Sequence, residues 1–118
     1  MKRSMLTAAA MLFAGAAQAQ SGEWKGYVEL VSGKFDQCPN GGTAVIREIG
    51  GKFTMYSPDG KREQWSIKLA ADGSARSEAY SQFTQSTLAI SIPSGTGPRA
   101  FDAVNKTRNC TYKVKPAA

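Results

Sequence analysis

Residues 43–57 read Thr-Ala-Val-Ile-Arg-Glu-Ile-Gly-Gly-Lys-Phe-Thr-Met-Tyr-Ser. Two β-type runs, Thr43–Ile49 and Lys52–Ser57, flank the pair Gly50-Gly51. Glycine accepts the positive φ of a primed two-residue turn without steric cost, so this stretch predicts a tight β-hairpin.

The same grammar extends in both directions. Trp24, Val28 and Leu30 share one parity, with Gly26 between them, and Lys25, Tyr27 and Glu29 share the other. Trp65, Ile67 and Leu69 alternate with Gln64, Ser66 and Lys68. Leu88, Ile90 and Ile92 alternate with Thr87, Ala89 and Ser91, and Cys110, Tyr112 and Val114 with Thr111, Lys113 and Lys115. A repeated period of two argues for half-buried antiparallel strands. Pro58-Asp59-Gly60, Asp72-Gly73 and Asn105-Lys106-Thr107 supply turns, and Ser94–Pro98 supplies a longer Gly/Pro loop.

Eight strands follow: 23–31, 43–49, 52–57, 62–70, 74–80, 83–93, 99–104 and 108–115. The expected fold is all-β, a small antiparallel barrel or sandwich with one disulfide. Ala75, Ala79 and Phe83 also fit a helical i, i+4 face that Ser74 would cap, so 75–84 is open to helix, with strand preferred. Trp24, Val28, Trp65, Ile67, Leu69, Leu88, Ile90 and Tyr112 are the expected core.

The first nineteen residues differ from the rest. Met1-Lys2-Arg3, an apolar Leu6–Ala17 and the small-x-small site Ala17-Gln18-Ala19 have the order of a secretory signal peptide. Residues 1–19 are thus expected to be cleaved, leaving one β domain, 20–118, in the periplasm or outside the cell. Nothing later is apolar enough to span a bilayer. Cleavage leaves 99 of 118 residues, a size at which a hydrophobic core is thin. Cys38 and Cys110 are the only cysteines, so an oxidising compartment allows one bridge between them. A long-loop bridge of this kind is worth about 4 kcal/mol in the chain-entropy model.

Without Lys2 and Arg3 the net charge of +6 falls to +4. The basic residues are scattered, and only Lys106, Arg108, Lys113 and Lys115 are locally dense. That charge suits a soluble surface with weak attraction to polyanions, and nucleic acid is not an expected partner.

The chain has no histidine. This excludes Ser-His-Asp and Cys-His catalysis and the usual zinc hydrolase sites. Bonded cysteines supply no thiolate, and no catalytic, cofactor or metal residues are expected. Two-carboxylate catalysis stays formally open. Glu63 shares the parity of Trp65 and Ile67, so it is either a buried carboxylate or a solvated residue ahead of a strand beginning at Gln64. Gly95-Thr96-Gly97-Pro98-Arg99 lacks the Lys-Ser/Thr ending of a phosphate loop, and Asp72-Gly73-Ser74 lacks the repeated ligands of a calcium loop. Asn105-Lys106-Thr107 and Asn109-Cys110-Thr111 match the glycosylation pattern by chance, given the bacterial look of the leader.

Gly22-Glu23-Trp24 resembles the Gly-x-Trp opening of calycin barrels, the group of lipocalins, avidins and bacterial metalloprotease inhibitors. The resemblance implies a basic residue from the last strand packed over the tryptophan, with Arg108 the matching candidate. The chain is short for a lipocalin, which counts against an internal ligand cavity. More broadly, Trp24-Lys25-Gly26, Cys38, Asp72-Gly73-Ser74 and Cys110 resemble the layout of small exported alphaproteobacterial proteins of unassigned activity. That likeness implies fold and export and no chemistry.

These features favour a monomeric, non-enzymatic envelope protein that binds an unidentified protein or envelope component through its loops. The alternatives are a periplasmic inhibitor of a secreted hydrolase, such as a protease or lysozyme, and a cationic polyanion binder. Loops Ser32–Gly42 and Ser94–Arg99 are the longest interruptions of the alternation, which makes Phe35, Asp36 and Arg99 the candidate partner-binding residues. Phe35 is either an exposed anchor or an aromatic folded back on the core. Phe35→Ala or Arg99→Ala is expected to weaken capture without unfolding the domain.

Overall fold

A computed structural model describes residues 22–117. The expected signal peptide, 1–19, lies outside the described residues. Eight strands follow in chain order: β1 (Gly22–Ser32), β2 (Gly42–Ile49), β3 (Lys52–Tyr56), β4 (Glu63–Lys68), β5 (Ala75–Ser81), β6 (Ser86–Ile92), β7 (Phe101–Asn105) and β8 (Cys110–Pro116). Residues 75–81 are strand, paired with β6 from Ala75↔Ile92 to Ser81↔Ser86. No helix among the described residues is long and apolar enough to cross a membrane.

All pairings are antiparallel, in the order β4-β3-β2-β1-β8-β7-β6-β5. The first and last strands are therefore neighbours, and the sheet curls into a nearly closed barrel whose edges β4 and β5 lie against each other. Among the described residues that seam has no strand ladder. The predicted hairpin is present: Ile49 pairs with Lys52, and Gly50 and Gly51 take φ of 60° and 80°.

Even-numbered positions of β1, β2, β6 and β8 and odd-numbered positions of β3, of β4 from Trp65 onward and of β7 point inward, as their burial shows. The expected core residues lie on these parities, with Val28 and Leu69 half-buried against the core and Tyr112 half-buried on β8. Ile46, Phe53 and Phe101, which were not among the expected core residues, are almost fully buried. Phe53 stacks on Trp65 at 6.0 Å and meets Phe101 edge-on at 5.1 Å, while Trp24 meets both phenylalanines edge-on. Such offset and T-shaped pairs add to the area term that drives burial.

Glu63 is solvent-exposed, though not because the strand starts later. Met55 pairs with Trp65 and Tyr56 with Glu63, so Gln64 is an extra residue on β4. This bulge reverses the parity on either side of it. Glu63 therefore faces out while Trp65 faces in.

Cys38 and Cys110 are bonded, both fully buried. The bridge ties the loop between β1 and β2 to the start of β8, across 72 positions of sequence. Such a bond fits an oxidising, extracytoplasmic compartment.

Candidate functional site

The connections gather at two ends. The β2–β3, β4–β5 and β6–β7 turns form one end, and the β1–β2, β3–β4, β5–β6 and β7–β8 connections form the other. The first end is closed by an ion pair. Arg99 Nη1 lies 3.0 and 3.1 Å from the two carboxylate oxygens of Glu48, and the side chains are 10% and 8% exposed. Trp24 Nε1 donates to the same carboxylate at 3.3 Å.

The remaining Arg99 donors are also used. Nε donates to the Pro93 carbonyl at 3.0 Å, Nη1 to Gly97 at 2.7 Å and Nη2 to Gly73 at 2.8 Å. The guanidinium sits 5.7 Å from the centre of the Phe53 ring. One side chain thus binds its own loop, the β4–β5 turn and β2. It bridges the turn of the unladdered seam. Gly73 has φ of 87°, and a Cβ there would lie 1.9 Å from the Gly95 carbonyl oxygen. The chain crosses so tightly that only glycine fits.

Arg99 is therefore a structural residue and does not share a surface with Phe35 and Asp36. The basic residue coupled to Trp24 is Arg99, through Glu48. Arg108, expected over Trp24, stands at the other end, where its Nη2 donates to the Thr84 carbonyl at 3.2 Å. Burial of Glu48 was legible in principle, since it shares the parity of Ala44 and Ile46. The choice of Arg99 as its partner was not.

The second end is open. The β1–β2 connection, residues 33–41, is fixed by the Cys38–Cys110 bond and by Tyr112 Oη, which donates to the Pro39 carbonyl at 2.9 Å. Burial pushes the Tyr112 phenol above its ordinary range, opposed by the nearby Arg108 charge. Phe35 and Asp36 are exposed on this loop. Phe35 is 79% exposed, so it is not folded back on the core. Val31 and Phe83 are exposed apolar residues at the same end. The guanidinium of Arg62 lies 5.4 Å from the Phe83 ring centre.

Below this loop lies a cavity of about 280 Å³. Its walls include Val28, Met55, Trp65, Leu88, Ala103 and Val114, and Arg108 stands among the residues lining it. The short chain therefore does hold an internal space. Trp24, Phe53 and Phe101 pack together in the closed half of the barrel, and the open half keeps this space.

Two exposed carboxylates shape turns. Asp59 is held below the usual carboxylate range by the Ser57 hydroxyl and then the Lys61 amide. The Ser74 hydroxyl and amide do the same for Asp72. Both aspartates are spent on their own turns. Among the described residues, no group of three or more His, Cys, Asp or Glu could hold a metal ion.

Compared with protein-family models, with curated proteins and with solved structures, the chain matches none of them.

Proposed function

We propose that this chain is an exported, non-enzymatic binding protein of the cell envelope that holds a protein partner through the loop at the open end of its barrel. The observation that carries this reading is Phe35, a large aromatic 79% exposed on a loop braced by a disulfide. Exposed aromatics on ordered loops are the residues that anchor interfaces, because they bury much area and lose little freedom. Asp36 flanks it, and Val31 and Phe83 extend the apolar surface at that end. Catalysis finds less support, since Glu48, the one deeply buried carboxylate among the described residues, is already taken by Arg99 and Trp24.

A more specific form of this reading is an inhibitor of a secreted hydrolase. It is favoured by the bracing of the loop, because a rigid protruding segment enters a cleft with little ordering cost. A polyanion-binding role is less supported. Lys106, Lys113 and Lys115 of the basic tail face Glu78, Asp102 and Glu29 across the sheet.

The test is capture from periplasm and growth medium with the purified mature protein and its Phe35→Ala variant as paired baits. The expected result is a stoichiometric partner held by the parent and released at least about tenfold more readily by the variant. A hydrolase whose activity falls in proportion to added protein would fix the inhibitor form. Equal capture by both baits would overturn the role given to Phe35. Substrate turnover by the pure protein would overturn the binding reading.

A further inference from the structure

We infer that the open-end cavity is a binding site for a small amphipathic monocarboxylate, its apolar body inside the barrel and its carboxylate beside Arg108. This site is separate from the Phe35 surface and does not rest on the partner proposed for it.

Three observations meet there. The first is the space. A volume of about 280 Å³ is near the lower end of the range, about 300–1,000 Å³, of small-molecule sites. It equals the share of roughly nine or ten liquid waters at about 30 Å³ each. That suits one ring or one medium-length chain and excludes a two-tailed lipid. Walls of Val28, Met55, Leu88 and Val114 favour an apolar body.

The second is a pair of orphaned polar atoms. Trp65 is 2% exposed and lines the cavity, and its indole Nε1 has no acceptor. Thr84 also lines it, and its buried Oγ1 has no partner. Trp24, the other tryptophan, is bonded through its Nε1 to Glu48. A buried donor left unmade costs about 1–3 kcal/mol, so two residues of one cavity wall carry unmet hydrogen-bonding capacity that a small shift of the wall would offer to a ligand oxygen.

The third is charge. Among the described residues, Arg108 is the only cationic side chain lining the cavity, and no carboxylate lines it. Arg108 Nη2 reaches the Thr84 carbonyl at 3.2 Å, which ties the guanidinium to the Thr84 corner of the lining. That corner repels an ammonium and accepts a carboxylate by charge-assisted hydrogen bonds.

The experiment titrates octanoate into the folded, disulfide-bonded protein, well below its micelle concentration, and follows calorimetry and the two indole N–H resonances. Trp24→Phe assigns the peaks. The expected result is saturable one-to-one binding that moves the Trp65 resonance and leaves the Trp24 resonance in place. Octylamine, with the same chain length and opposite charge, should bind at least about tenfold more weakly. Arg108→Ala, an exposed position, should weaken octanoate by a similar factor with an unchanged melting temperature, whereas Phe35→Ala should leave octanoate binding intact. Absence of saturable octanoate binding would overturn the site. Equal affinity for octylamine, or for octanoate in Arg108→Ala, would overturn the carboxylate assignment.

Discussion

At the closed end of the barrel the inward positions carry Trp24, Phe53 and Phe101 beneath the Glu48–Arg99 pair. At the open end they carry Val28, Ala103 and Tyr112 beneath a disulfide-braced loop. The strands and their alternation are the same at both ends, but the side-chain volumes differ. At the closed end packed aromatic rings and the Arg99 guanidinium fill the interior, and the space of about 230 Å³ there lies among turn residues such as Gly50, Ala71 and Gly95; at the open end about 280 Å³ lies against inward-facing residues of the strands. Trp65 belongs to both halves, stacked on Phe53 and lining the cavity. The buried ion pair lies at the filled end, and the proposed binding surfaces at the other.

The comparison breaks most visibly at Arg99. Arg99→Ala strands the Glu48 carboxylate and frees the Pro93, Gly97 and Gly73 carbonyls. It should cost about 3–5 kcal/mol, as removal of one partner from a buried pair does. Urea unfolding of the parent and variant measures it. The double variant Glu48→Leu/Arg99→Met should cost less than the sum of its singles, because each single leaves a charge alone. A cost for Arg99→Ala below about 0.5 kcal/mol, the scale of surface changes, would contradict the structural role of Arg99.

Cys110→Ser comes next, with an expected loss of about 2–5 kcal/mol. It should also loosen the open-end loop, which would show as faster amide exchange at residues 33–41 relative to the β2–β3 turn. Uniform exchange at both ends would contradict the division of labour.

Phe35→Ala should move stability by no more than about 0.5 kcal/mol, while partner capture falls. This is the reverse of the pattern expected for Arg99→Ala, and the two variants together test whether the ends do different work.

The smallest effect is acidic. Asp59 turns the open end and Asp72 the closed end, and serine hydroxyls, then backbone amides, hold both below the usual carboxylate range. A depressed carboxylate contributes stability above its unfolded value of about 4, and that contribution is lost as pH falls through the lower folded value. The Asp59→Asn/Asp72→Asn variant should therefore lose less melting temperature than the parent between about pH 5 and pH 2. Both groups are exposed, so the difference should be small, and a steeper acid limb in the variant would contradict it.

Much of this architecture was legible in local pattern. Period-two alternation fixes which side chains share a face, and paired glycines fix a hairpin, so eight strands and the Cys38–Cys110 bond could be read along the chain. The solvated reading of Glu63 holds, but its cause could not be read, because a one-residue bulge at Gln64 reverses parity and leaves no compositional mark. Nor could the role of Arg99. In a Gly/Pro loop it looks like a free cation, and only closure of the sheet brings it to Glu48, 51 positions away. The cavity escaped for the same reason. Alternation says that Val28 and Phe53 both point inward, but not that Phe53 packs among rings while Val28 borders a space. Local periodicity is a property of neighbouring residues and survives in the sequence. Volume filling and ion pairing are sums over strands distant in the chain, and only the tertiary structure adds them.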